Sequence, residues 1–141
     1  MISCNPYLNF NGNCRTAIET YAAILGADIM AIMPHSEMPD PSQVPAEWQD
    51  LIMHACLKIG DTFLMASDSP PEHFQAAAGS SVSLQIDDPA EADRVYAALA
   101  EEGSTTMPIE ETFWALRFGM LVDRFGTPWM INCPQPEADC G

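Results

Sequence analysis

The feature that most constrains the fold of this chain is the order of its hydrophobic periodicities, because the same order occurs twice. Each half begins with an extended segment, continues with a helical stripe that stops at a glycine, and then returns to extended segments. Alternation with a period of two predicts a half-buried strand, whereas apolar residues three or four apart predict an amphipathic helix. The sequence therefore predicts two successive β-α-β-β-β modules.

The first module has its helix at residues 14–25, with Asn13 as the N-cap and Gly26 as the residue that stops it. The other elements are strands at residues 5–10, 27–33, 51–59 and 62–67, and a proline-rich loop at residues 34–49. The last two strands form a hairpin around Gly60 and Asp61.

The second module follows a loop at residues 68–79. Its helix opens at Asp88 and Pro89, a proline position that suits a first helical turn, runs to about Glu102 and is stopped by Gly103. Its strands are predicted at residues 82–86, 105–109, 115–123 and 129–133. A ferredoxin-like sandwich requires another helix where this chain has a hairpin.

The predicted fold class is therefore α+β: two βαβββ modules form a cup-shaped mixed sheet with helices on the outer face. A chain of 141 residues suits one compact domain. We expect a single domain over residues 1–141, with module one at about 1–68 and module two at about 80–134.

The charge balance limits the classes of expected binding partner. The chain has 20 acidic residues and 5 basic ones, which give a formal charge of −15. Such a surface repels phosphate backbones and anionic lipid, so neither nucleic acid nor a membrane is an expected partner. No segment approaches the roughly 20 apolar residues that span a bilayer, and the first residues lack a signal-peptide pattern, so a cytoplasmic location is predicted. Five cysteines without a CxxC pair argue against a disulfide framework and a structural zinc site.

Polar residues inside the predicted strands suggest a binding site. If helices cover one face of each sheet, the alternate side chains line an open face, which is either a ligand site or an ordinary solvated surface. Tryptophans beside this face are candidates for its wall or lid, although core packing is the commoner role of such residues. The candidates are His54 as a catalytic residue and Tyr7, Asn9, Cys56, Lys58, Gln85, Trp114, Arg117 and Trp48 as substrate-binding residues.

Three motifs follow one another along the chain: the opening PYLNFNGNCRTAIETYAAILGA, the hairpin MHACLKIGDTFLMASD and the C-terminal ETFWALRFGMLVDRFGTPWMIN. In this order they resemble the PhnB-like branch of the vicinal-oxygen-chelate (glyoxalase/bleomycin-resistance) superfamily. The resemblance covers nearly the whole chain. It implies paired βαβββ modules, a small-molecule ligand and a homodimer.

The resemblance also implies, in many members, a divalent metal held at four strand positions. These positions align with Asn5, His54, Ser81 and Met130. Only His54 is a good ligand for Zn²⁺ or Ni²⁺, so the cofactor stays undetermined. Replacement ligands remain open, namely Cys56, His35, His73 and Glu110.

Three functions remain open at this stage. An enzyme of the lyase, isomerase or dioxygenase type would use His54 as metal ligand or general base, with Arg117 or Lys58 holding an anionic group. A ligand-sequestering protein would stack a cationic or planar aromatic molecule on its tryptophans. The third possibility is a structural dimer with a vestigial site. The methyltransferase name used for part of the family has no support, since the chain has no glycine-rich turn between strand and helix for a cofactor such as S-adenosylmethionine.

Overall fold

The computed structural model describes residues 1–40 and 44–136, so Cys140 lies outside the described residues. The chain divides into two compact units, Met1–Ala76 and Ala77–Gly141. Within these described residues, each unit contains one α-helix and one four-stranded mixed sheet in the order βαβββ, which confirms the predicted α+β class and the repeated module.

The helices and strands lie close to their predicted bounds. The first unit consists of β1 (Tyr7–Phe10), α1 (Cys14–Leu25), β2 (Asp28–Pro34), β3 (Ile52–Ile59) and β4 (Thr62–Asp68). The second consists of β5 (Val82–Gln85), α2 (Pro89–Ala100), β6 (Ser104–Glu110), β7 (Ala115–Val122) and β8 (Pro128–Pro134). Short 3₁₀ helices within the predicted loops span His35–Glu37, Ala46–Trp48 and Pro71–His73.

The two sheets have the same topology. Their strand orders are β1-β4-β3-β2 and β5-β8-β7-β6. In each sheet the first strand pairs in parallel with the last, and the other pairings are antiparallel. This equivalence supports the interpretation of the chain as a duplicated module.

The start of α1 differs from the prediction in its capping group. Asn13 occupies the N-cap position, but its side chain makes no capping hydrogen bond. Instead, Oδ1 of Asp68, at the end of β4, accepts hydrogen bonds from the Gly12 and Cys14 amides at 2.9 and 3.0 Å. The predicted stop is correct, because Gly26 adopts the left-handed conformation with φ 63°.

The end of α2 corrects the predicted role of Gly103. The helix ends at Ala100, and Glu102 rather than Gly103 has a positive φ, of 62°. Gly103 is needed for a different reason, since a Cβ atom there would lie 2.3 Å from the Val122 carbonyl oxygen. At the other end of the helix, the Asp88 side chain caps it by accepting a hydrogen bond from the Ala90 amide at 3.2 Å.

Each unit has a core between its helix and one face of its sheet. In the first unit Ile18 and Tyr21 of α1 are fully buried, as is Leu57 of β3. In the second, Trp129 of β8 is fully buried and donates from Nε1 to Oδ2 of Asp123 at 2.8 Å, so its role is core packing. None of the described helices is long and apolar enough to cross a membrane.

Candidate functional site

The open face of the first sheet carries the polar candidates of that unit. Buried Ala55 and Leu57 point toward α1, so the alternating residues of β3 face the other way. These are His54, Cys56 and Lys58, as predicted. The register joins Tyr7 of β1 to Met65 and Met65 to Cys56, and places Asn9 beside Ser67 on β4. The structure therefore brings Tyr7, Asn9, His54, Cys56 and Lys58 onto one face.

His54 has few metal-binding neighbours on this face. It pairs with Met33 on β2, and its ring centroid lies 6.3 Å from that of Tyr7. Among residues 1–40 and 44–136, no three His, Cys, Asp or Glu side chains converge on one point. The family positions on the second unit hold the hydroxyl of Ser81 and the thioether of Met130, which do not suit a zinc or nickel site. The side chains that are present do not fit the divalent metal implied by the resemblance.

The predicted placement of Arg117 is wrong. Ala115, Gly119 and Leu121 of β7 are buried, and a Cβ at Gly119 would lie 2.7 Å from the Tyr96 ring of α2. Arg117 shares this helix-facing side, and its Nε lies 3.1 Å from Oδ1 of Asp93 on α2. Periodicity alone fixed the alternation of β7 but not which of its two faces the helix covers.

The open face of the second sheet carries a line of side chains that we call the methionine row, which consists of Met107, Met120, Met130 and Ser83. The register joins Met107 of β6 to Met120 of β7, Met120 to Met130 of β8, and Met130 to Ser83 of β5. An open groove of about 590 Å³ lies beside this row, between Met120, Met130 and the segment from Ala77 to Ser81. Flexible, polarisable thioethers adapt to apolar ligands of different shapes.

A second line of side chains, the amide row, lies two residues further along the strands. It consists of Gln85, Asn132, Phe118 and Glu110, each paired in register with the next. Nε2 of Gln85 donates to Ser83 Oγ at 3.1 Å, and Nδ2 of Asn132 donates to Oε1 of Gln85 at 2.8 Å. Asn132 is only 2% exposed, and none of the residues that the structure describes donates a hydrogen bond to its Oδ1.

Aromatic side chains flank the amide row. The Trp114 ring packs edge-on against Phe118, with 5.6 Å between centroids, and against Phe113 at 4.8 Å. Trp114 nevertheless remains 45% exposed, and Phe113 is 93% exposed. Because Phe118 lies on the open face, Trp114 forms an aromatic edge of that face.

The structure does not bring every candidate onto an open face. Trp48 is half-buried in a 3₁₀ helix of the long loop of the first unit, and its amide donates to the Pro45 carbonyl at 3.0 Å. Gln85 does lie on the open face of the second sheet, because its neighbour Leu84 is the buried residue of β5. In the second unit, therefore, Gln85 and Trp114 share a face that Arg117 does not.

The cysteine thiols differ in their surroundings. Burial, with a smaller contribution from the Asp68 carboxylate, raises the pKa of the Cys14 thiol to about 12. Burial likewise raises the pKa of Cys133. Both cysteines are fully buried, Cys14 in the first turn of α1 and Cys133 on β8, so they belong to the core. Cys4 is exposed and Cys56 is half-buried, and all four are free thiols.

The sequence-based candidates missed Asn132 and Phe118. Asn132 stands in the WMIN segment of β8, where an amide side chain interrupts a run of apolar residues. That interruption was the available signal, but its meaning depends on pairing between β5 and β8, which brings Gln85 beside Asn132 across 47 residues of sequence.

The chain's own carboxylates bind the amide groups at both helix starts. Asp68 accepts from the amides of Gly12 and Cys14 at α1, and Asp88 accepts from Ala90 at α2. Helix N-termini that open from strand-to-helix turns are common anchors for the anionic parts of cofactors. In this chain those amides already have intramolecular partners.

Comparison with known proteins places these features in a family. Residues 3–132 match the model of a family described as 3-demethylubiquinone-9 3-methyltransferase. Protein YjdN of Escherichia coli K12 is 38% identical over 136 residues, which covers 91% of this chain and 92% of YjdN.

Solved structures share the fold of this chain. The crystal structure of PA1353 from Pseudomonas aeruginosa is 48% identical and has a TM-score of 0.88, covering 96% of this chain and 99% of PA1353. The PhnB protein of Bacillus cereus is 22% identical with a TM-score of 0.77, over 94% of this chain and 99% of that one, which shows a shared fold.

Proposed function

Since this chain belongs to the PhnB-like family described as 3-demethylubiquinone-9 3-methyltransferase, within the vicinal-oxygen-chelate superfamily, we propose that it binds a small organic molecule on the open face of its second sheet. The single observation that carries the proposal is the composition of this face. A groove of about 590 Å³ lies beside the apolar methionine row, and the same face carries an exposed tryptophan and one buried amide oxygen that has no donor among residues 1–40 and 44–136. Small-molecule sites typically combine an apolar lining with few fixed polar groups.

The methionine row and Trp114 supply the apolar part of this site. Met120 and Met130 are half-buried and line the groove, and Met107 is 40% exposed at the edge of the sheet. Thioethers and aromatic rings attract each other, and an exposed indole offers an aromatic ligand a surface for stacking. We therefore expect the ligand to have a planar or otherwise bulky apolar body.

Methyl transfer from S-adenosylmethionine is not part of the proposal. The strand-to-helix turns of both units are short, and their amides bind Asp68 and Asp88. These turns therefore do not provide the S-adenosylmethionine site that the family description implies. Sequestration of a ligand, as in resistance-type binding proteins, requires only the face itself and is the simplest activity that the geometry supports.

Catalysis is the second candidate, because the first sheet places His54 with Tyr7 and Lys58 on one face. A histidine that is half-buried beside a tyrosine suits a general base, and a lysine suits an anionic substituent. If a substrate is found, His54→Gln should abolish turnover while leaving the affinity for probes of the second sheet unchanged. Equal turnover in this variant would remove His54 from the mechanism.

Paired tryptophan variants provide the test of the binding proposal. The change in melting temperature of the protein is measured with increasing 2-naphthylmethanol, an uncharged aromatic probe, in wild type, Trp114→Ala and Trp48→Ala. Saturable stabilisation is expected in wild type and Trp48→Ala, and its loss is expected in Trp114→Ala. Loss in Trp48→Ala alone would move the site to the loop of the first unit, and no stabilisation of any protein would contradict the proposal.

We also propose that the two units form one domain and that the chain is a homodimer. Support for the dimer comes from the edge strand β2, where Ile29, Met30 and Met33 are 42, 58 and 39% exposed. Exposed apolar residues on an edge strand favour pairing with another chain. Light scattering tests the dimer, which Met30→Lys should weaken, and a monomeric mass for wild type would contradict it. Calorimetry tests the single domain, which predicts one cooperative transition and not two.

A further inference from the structure

The side chain of Asn132 indicates the chemical class of the ligand. Its Nδ2 is committed to Gln85 Oε1 at 2.8 Å, and Nε2 of Gln85 is committed to Ser83 Oγ at 3.1 Å. This chain of hydrogen bonds fixes the orientation of the Asn132 amide and leaves Oδ1 without a donor in the described part of the chain. An acceptor buried without a donor disfavours folding, so the native state retains Oδ1 at a cost.

The side chains at and beside the amide row include a carboxylate and an aromatic ring, both of which attract cations. Glu110 on β6 stands at the end of the row, opposite Phe118, and is exposed. Trp114, packed edge-on against Phe118, adds an aromatic ring that attracts cations through its π face. A ligand that reaches this row therefore meets oxygen acceptors, a carboxylate and an indole.

The cationic side chains of residues 77–141 are Arg94, Arg117 and Arg124, and each has a partner away from this row. Arg94 binds Glu91 on α2, and Arg117 binds Asp93 on the helix-facing side. Arg124 lies over the Phe125 ring, 4.8 Å from its centroid, in the β7–β8 turn. A positive charge on the ligand is therefore not opposed by any of these three arginines.

We infer that the open face of the second sheet binds a protonated amine carried on an apolar, preferably aromatic, body, with an N–H group donating to Asn132 Oδ1. The inference rests on the proposed binding function and names its ligand class. The ammonium group satisfies the oxygen, Glu110 adds attraction, and Trp114 with the methionine row holds the apolar body. Oδ1 is buried, so the ligand reaches it through rotation of the exposed Trp114 side chain, while the hydrogen bond between Asn132 and Gln85 is kept.

Matched naphthyl probes separate the contributions of charge and of the N–H donor. Dissociation constants are measured by calorimetry for 2-naphthylmethylamine, its quaternary trimethylammonium analogue, 2-naphthylmethanol and 2-naphthylacetate. The amine should bind about 10- to 100-fold more tightly than the quaternary cation, which has the charge but no N–H, because a hydrogen bond between a charged donor and a buried acceptor is lost. The anion should bind most weakly.

The Asn132→Leu variant removes the acceptor while keeping a side chain of similar volume. Its melting temperature should equal or exceed that of wild type, since an unpartnered buried oxygen is removed, whereas the advantage of the amine over the quaternary cation should disappear. Asn11→Leu, the same change at an exposed loop position, is the control and should keep the full preference.

The outcomes distinguish this inference from the function on which it rests. Binding of the naphthyl probes without a preference for the amine, or with a preference that survives in Asn132→Leu, would overturn the amine assignment and leave the binding function standing. If none of the four probes binds the wild-type protein, the binding function itself is contradicted.

Discussion

The Asp68 side chain connects three segments of the first unit. Its Oδ1 accepts from the Gly12 and Cys14 amides at the start of α1, and its Oδ2 accepts from the Ile52 amide at the start of β3, at 2.9 Å. The side chain is 7% exposed, so water cannot readily replace it. One carboxylate thus holds β4 against a helix and a neighbouring strand.

Replacing Asp68 by alanine should lower the free energy of unfolding by about 2–4 kcal/mol, because three backbone donors lose their acceptor and two of them belong to a helix start. Urea denaturation measures this difference. Asp61→Ala, at an exposed hairpin turn, is the matched control and should change stability by less than about 0.5 kcal/mol. Equal effects of the two changes would show that Asp68 has no special structural role.

Cys14 provides a pH-dependent prediction at the same scale. Its pKa is about 12 in the folded protein and near 9.0 in the unfolded chain, so between these values the folded state retains a proton that the unfolded state releases. Stability due to this thiol is therefore complete below pH 9 and falls as pH rises, by about 1.4 kcal/mol at pH 10.

The measurement compares the free energy of unfolding at pH 8 and pH 10 in wild type, Cys14→Ala and the exposed-site control Cys4→Ala. The decline should be smaller by about 1.4 kcal/mol in Cys14→Ala than in the other two proteins. An identical decline in all three would contradict a buried, protonated Cys14.

At the scale of the elements, local signals predicted more than long-range ones. The predicted bounds of α1 are correct because helical periodicity and Gly26 are local features. It misjudged Arg117 because the helix-facing side of β7 depends on packing with α2, and it misjudged Asn13 because the capping carboxylate, Asp68, is 54 residues away from the Cys14 amide.

In the turn after α2, Glu102 has the left-handed backbone conformation and Gly103 lies against β7. Gly103→Ala should destabilise the protein by about 1–3 kcal/mol, since a Cβ atom would lie 2.3 Å from the Val122 carbonyl oxygen. Glu102→Gly should instead stabilise it by about 0.5–1 kcal/mol, because Glu102 has φ 62° and its ion pair with Arg124 is long, at 4.0 Å. Thermal denaturation of both variants measures these changes. Stabilisation by Gly103→Ala would contradict the predicted clash with the Val122 carbonyl oxygen.

At the scale of the whole molecule, the repeated topology distinguishes what the two units share from what they do not. Both have the βαβββ order and a carboxylate-capped helix, whereas the open faces carry different chemistry. The first presents His54 and Lys58, and the second presents the methionine row and the amide row. The fold followed from local periodicity, but the site of the second unit depends on pairing between distant strands, which a single sequence does not encode locally.

Methyl resonances of the methionines test whether the open face of the second sheet binds a small molecule. The nine methionines are labelled with ¹³C in the methyl group and assigned by substitution, and 2-naphthylmethylamine is then titrated into the protein. We expect saturable shifts of Met107, Met120 and Met130, with Met53 of the first unit as the internal reference. No saturable shift, or shifts confined to Met33 and Met65 on the first sheet, would contradict this expectation.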